Sequence, residues 1–240
     1  MGISSRDKIL NTIKRGIYRP GDEKTDAPES IFHKEADLHN YRRETRTAQN
    51  LVQESENLIE NFMNELTKVN GIAKVINNED QIKEYLSNLT AESNSKSFLV
   101  WETALIKKLK VIEYLESNGL RLIKSHDKEQ LAKADIGITE ADYAIADSGT
   151  LVLFSNPKKP RLVSLIAPVH IAILESKKIV HNIFQLFQIV KHEYHQEMRG
   201  KNPMRCLTFI TGPSRTADIE LNLTLGVHGP KEVHILIYNK

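Results

Sequence analysis

A single cysteine, Cys206, in 240 residues excludes an intrachain disulfide. It also leaves the chain unable to hold, by itself, a cysteine-ligated iron–sulfur cluster, which takes about four protein ligands. Long hydrophobic runs are missing as well. The most apolar stretch, Ser164 to Leu174, is interrupted by Pro168 and His170 and falls short of the roughly 18 residues that a membrane helix needs. The N-terminus, MGISSRDKIL, lacks a signal-peptide core, so the expected compartment is the cytoplasm. Charge of one sign is absent too. With 33 basic and 31 acidic residues there is no global field to draw in nucleic acid or an anionic membrane. Neither Gly-x-Gly-x-x-Gly nor a Walker loop occurs, which removes support for a standard dinucleotide or NTP site.

What is present is the composition of an ordinary globular protein. At 40% hydrophobic and 27% charged residues the chain can bury a sizeable core without covalent staples. No Pro/Gly/Ser-rich linker divides it into comparable halves. Near the start, Ser5 can cap a short helix with Ile9, Ile13 and Ile17 on one side, ended by the polar run Tyr18 to Ser30. From His33 to Val69, Tyr41, Ala48, Val52, Ile59, Phe62 and Leu66 keep helical spacing. Residues 1–69 are therefore expected to form a helical arm and long helix, and these helices are a route to an oligomer. Residues 70–240 are expected to form an α/β domain.

After Gly71, β-prone runs alternate with helical patterns. Ile72 to Ile76, Phe98 to Trp101 and Arg121 to Lys124 read as strands. Ile82/Leu86/Leu89 and Leu105/Leu109/Ile112/Leu115 read as helices, the second closed by Gly119. This rhythm predicts a parallel-rich sheet flanked by helices. Tyr143 to Ala146 and Thr150 to Phe154 are too close for a crossover and predict an antiparallel hairpin. His170 to Leu174 reads as a strand. Asn182 is placed to cap a helix with Ile183, Leu186, Phe187, Val190 and Tyr194 on its buried side. Strands are expected at Cys206 to Ile210 and Val233 to Tyr238.

Three segments can carry chemistry. Thr211 to Glu220 is expected to be a strand-to-helix turn, which would aim unpaired N–H groups at a ligand. Gly212 permits close approach, Ser214 and Thr216 offer hydroxyls, Arg215 offers a donor fork suited to carboxylate or phosphate, and Asp218 lies alongside. The same groups serve equally as helix caps and dipole partners. In Leu225-Gly226-Val227-His228-Gly229-Pro230, two glycines leave His228 little cover, suiting it to proton transfer or anion binding, although a lone loop histidine is also a common structural residue. In the third segment, Glu140, Asp142 and Asp147 are candidate bases or charge partners, and the Ser148-Gly149 turn can present Thr150 to a ligand. That turn also serves simply to close a hairpin. Glu140 and His228 are the catalytic candidates. Ser148, Gly149, Thr150, Gly212, Ser214, Arg215, Thr216, Asp218, Gly226, His228 and Gly229 are the ligand-binding candidates. His192 and His195, three apart around Glu193, do not match the four-residue spacing of the common zinc motif, so no metal site is expected.

The ordered series Gly137-Ile138-Thr139-Glu140-Ala141-Asp142-Tyr143 to Leu151, Pro168-Val169-His170-Ile171, Thr211 to Glu220 and Gly226-Val227-His228-Gly229-Pro230 resembles the LUD domain family. The resemblance is specific from about Ala134 onward. Ser148 stands where many relatives carry threonine, keeping the hydroxyl. The family's fold is similar to that of the sugar-phosphate isomerases and CoA transferases. Its bacterial members are associated with oxidation of L-lactate to pyruvate, together with iron–sulfur partner proteins. The resemblance therefore implies a component of an iron–sulfur lactate-oxidising system, with the clusters on the partners. The alternative it leaves is a stand-alone enzyme or binder for a phosphorylated or CoA-linked anionic metabolite.

Overall fold

The structure, a computed structural model, describes residues 48–124, 127–197, 204–217, 223–225 and 228–239. The helix expected at Ser5 to Ile17 and the stretch through Tyr41 lie outside these residues. The first described element, α1 (Ala48–Lys68), carries Ile59, Phe62 and Leu66 at intervals of three and four. All three are buried in the main core, as an amphipathic helix requires.

The main sheet contains β1 (Ile72–Ile76), β2 (Ser97–Val100), β3 (Arg121–Leu122), β4 (Ile136–Glu140), β7 (Val169–Glu175) and β12 (Glu232–Tyr238). Its order is β1-β12-β7-β4-β2-β3 and every pair is parallel. The central strands β7 and β12 read as nearly continuous apolar runs and are buried almost throughout. A parallel sheet covered on both faces demands this. Between β1 and β2, α2 (Glu79–Glu92) starts at Asn78, whose side chain accepts the Gln81 N–H, and it buries Ile82, Leu86 and Leu89. The helix expected through Leu105 and Leu115 is two helices, α3 (Ala104–Lys108) and α4 (Val111–Ser117), broken at Lys110 with φ of +51°. Gly119 closes α4 with φ of +84° while the Leu120 N–H reaches back to the Leu115 carbonyl. A short helix, α5 (Lys128–Leu131), precedes β4.

A second sheet grows from the connection between β4 and β7. It contains β5 (Tyr143–Ile145), β6 (Thr150–Ser155), β8 (Ile179–Val180) and β9 (Cys206–Ile210), in the order β8-β5-β6-β9. The expected antiparallel hairpin is β5–β6, with Ile145 opposite Thr150. Alternation along β6 serves two cores. Leu151 and Leu153 join the main one, while Val152 and Phe154 join a smaller one with Ile145, Val180 and Leu186. Leu186 belongs to α6 (Ile183–Glu197), whose start is capped as expected by the Asn182 side chain accepting the Gln185 N–H. The expected buried face of α6 needs correction. Leu186 is buried and Val190 half-buried, but Ile183 and Phe187 are exposed, because the smaller core takes in Leu186 with Val190 packed against it and does not reach the other two.

Candidate functional site

Beyond β9 the structure departs from the expected strand-to-helix turn. Arg215 to Ala217 is a strand, β10, paired antiparallel with β11 (Leu223–Leu225), Arg215 opposite Leu225. Arg215 to Ala217 are therefore extended and paired with β11, where the first turn of a helix was expected. The Ser214 N–H donates to the Pro230 carbonyl at 2.8 Å, and a side chain at Gly229 would meet the Ser214 Cβ at 3.2 Å. The segments bearing Arg215 and His228 are thereby joined, and both residues are exposed. Asp218, Gly226 and the Thr216 side chain lie outside the described residues.

The upstream candidates meet the same turn through hydroxyls. Thr150 Oγ1 lies 2.8 Å from Thr211 Oγ1, and the Ser148 hydroxyl donates to Thr150 Oγ1 at 2.9 Å. Thr150 is buried, so it ties the hairpin to the 211 turn rather than facing solvent. Gly149 and Gly212 have positive φ, and each lies hard against the end of α1. A Cβ on Gly149 would come 2.3 Å from the Leu66 nitrogen, and one on Gly212 would come 2.5 Å from the Val69 carbonyl oxygen. Both glycines let backbone pack on backbone.

A second group of charges stands at the carboxyl ends of the main strands. From β2 the sheet continues to β3 on one side, whereas from β4 it continues to β7 on the other. Such a reversal is where open parallel sheets commonly take ligands. Here the place is occupied by Trp101, which is fully buried and donates its indole N–H to the Pro160 carbonyl at 3.0 Å. Lys159 lies 5.5 Å from the centre of its ring and pairs with Asp142 at 2.7 Å. Asp142 also accepts the Phe154 N–H. Burial pushes its carboxyl upward, against the opposing pull of Lys159. Nearby, Lys178 pairs with Glu140 at 2.9 Å and Glu175 at 3.5 Å. Burial works against the Lys178 charge, but the Glu140 hydrogen bond and the surrounding carboxylates outweigh it and hold the ammonium above the ordinary lysine range. Glu140 is thus committed to a lysine, not to Arg215. Lys159 and Lys178 escape sequence reasoning because their partners are distant in the chain.

Two further polar groups are buried within the main sheet. His170 Nε2 lies 2.9 Å from Thr139 Oγ1, while its Nδ1 has no partner among the described residues. Burial, with help from His234, drives its pKa down to about 3. His234 bridges Tyr85 at 2.8 Å and Glu232 at 3.1 Å. Among the described residues no cluster of three His, Cys, Asp or Glu could hold a metal ion, and no helix is long and apolar enough to cross a membrane.

The sheet order, the 211 turn and the Gly137–Leu151 segment can be set beside known proteins. Residues 59–238 match the family model of the LUD domain. The chain belongs to the LUD domain family. This LUD domain chain is 31% identical over 180 residues to Lactate utilization protein C of Halalkalibacterium halodurans, covering 73% of this chain and 76% of the relative. It is 29% identical over 237 residues to Lactate utilization protein C 1 of Bacillus mycoides, covering 96% and 95%. To Lactate utilization protein C of Bacillus subtilis it is 32% identical over 190 residues, covering 78% and 71%. Among solved structures, a DUF162 family protein from Deinococcus radiodurans has a TM-score of 0.53 at 16% identity, over 77% of this chain and 98% of that one. That likeness speaks for the fold alone.

Proposed function

We propose that this LUD domain protein is a non-cluster subunit of a cytoplasmic L-lactate utilization system, in which lactate is oxidised to pyruvate by iron–sulfur partner proteins. The carrying observation is the alignment with Lactate utilization protein C 1 of Bacillus mycoides along 96% of this chain and 95% of the relative. A shared fragment alone would not produce so complete a correspondence. In this reading the single cysteine supports clusters held by the partners, with ligand binding, docking or assembly left to this chain. Purification of the tagged full chain from lactate-grown cells tests this reading. Co-purification of cysteine-rich proteins containing iron and acid-labile sulfide is expected. Recovery of the chain free of such proteins under mild, low-salt conditions counts against it.

A second reading rests on the exposed Arg215 and His228, carried on segments tied together by the Ser214–Pro230 hydrogen bond. An exposed guanidinium and an exposed imidazole on joined segments suit a phosphorylated or CoA-linked anion. Inorganic phosphate or CoA is then expected to raise the thermal midpoint of the wild-type protein, with the rise lost in Arg215→Ala. No shift with either anion contradicts it.

A further inference from the structure

Four large apolar side chains form a continuous exposed stripe. On α6, Ile183 is 41% exposed, Phe184 64% and Phe187 45%, and on β9 Phe209 is 40% exposed. Ile183 and Phe187 are one helical turn apart, Phe184 is three residues from Phe187, and the Phe187 and Phe209 rings lie 6.4 Å apart. The stripe therefore crosses from helix to sheet. Phe209 is on the last strand of the second sheet, and the outer edge of β9 has no partner strand among the described residues. A strand edge without a partner strand among the described residues, beside exposed aromatics, is a combination that soluble proteins ordinarily avoid unless something covers it.

The charge pattern bears on what covers it. In a chain with 27% charged residues, no Asp, Glu, Lys or Arg occurs from Ile179 to Val190 or from Cys206 to Ser214. Depletion of charge with enrichment of aromatics marks an interface centre. A two-fold axis sets a patch against its own copy, so any net charge on it would repel itself. This patch carries none, and it offers no charge by which a partner of opposite sign would be selected. The strand edge fits the same symmetry, because a two-fold perpendicular to the sheet pairs β9 with β9 antiparallel. The four side chains expose roughly 400 Å² of apolar surface in each copy. Two copies together, with the strand edge and a rim that includes the exposed Gln185 and Gln188, reach the order of 1,000 Å² that a specific association needs.

We infer that two copies of this chain associate across a two-fold axis through the exposed face of α6 and the outer edge of β9. Sedimentation velocity of the full chain across micromolar concentrations tests this, beside Phe184→Asp and Phe209→Asp. Wild type is expected to sediment as a dimer. Each substitution is expected to raise the dimer Kd at least about tenfold, with circular dichroism and the thermal midpoint little changed, since both rings are exposed. The two variants lie on different elements, so a folding defect in one leaves the other to decide. A wild-type monomer throughout overturns the inference, whether or not another protein binds the stripe. A dimer whose Kd neither substitution changes also overturns it.

Discussion

Gly149, Gly212 and Gly119 all have positive φ, but their surroundings differ and so do the expected costs of alanine. At Gly119 no heavy atom stands within 4 Å of an added Cβ, so only the backbone penalty of about 1 kcal/mol applies. At Gly149 the methyl would strike the backbone of α1 at Leu66, 2.3 Å away, and neither backbone can yield cheaply. Gly149→Ala is expected to cost about 2–4 kcal/mol, measured by urea unfolding beside Gly119→Ala. Equal losses would contradict the packing role. His170 gives a prediction in pH. Its folded pKa of about 3 lies below the unfolded value near 6.5, so between those values the unfolded chain binds more protons. The stability contribution is complete above about pH 6.5 and is lost as pH falls toward 3, by up to about 1.4 kcal/mol per pH unit. Urea unfolding at neutral and mildly acidic pH is expected to show this slope in wild type and a shallower one in His170→Gln.

At the scale of elements, the Glu140–Lys178 pair fastens the end of β4 to the turn preceding β8, and both side chains are largely covered. Lys178→Met leaves Glu140 buried without its cation and is expected to cost about 3 kcal/mol, with much of this recovered in Lys178→Met/Glu140→Leu. Thermal or urea unfolding of the three proteins checks it, and a double variant no better than the single one contradicts it. The sequence alone makes several elements legible. Ile72–Ile76 and Cys206–Ile210 have the bounds expected of them, because each is a short β-prone run with clear punctuation. The hairpin at Tyr143 to Phe154 was equally readable from its short connection. The strand at Arg215–Ala217 was not, since its residues suit a helix start and only pairing with Leu223–Leu225 makes them extended. Nor was the break at Lys110, where Leu109 and Ile112 keep helical spacing across a left-handed residue. Within the candidate site, the hydroxyl and glycine positions stood out as unusual. Their reason, the approach of Leu66 and Val69, is tertiary, and so are the pairings of Lys159 and Lys178.

On the scale of the whole molecule, a parallel sheet and a smaller mixed sheet are held together by α1, which touches both β1 and β8, and by Leu151 and Leu153 of β6, which enter the main core. Arg215 and His228 are exposed on segments joined by the Ser214–Pro230 hydrogen bond, and a charge-free apolar stripe lies on α6 and β9. With one cysteine the chain has no means of carrying a four-cysteine cluster, which is why the proposed role places electron transfer on partners. The most direct measurement is growth on L-lactate as sole carbon source after clean deletion of the gene in a host without a substitute lactate-oxidising pathway. The proposal predicts loss of growth on lactate, growth on pyruvate unaffected, and restoration by the full chain supplied in trans. Undiminished growth of the deletion strain on lactate would contradict it.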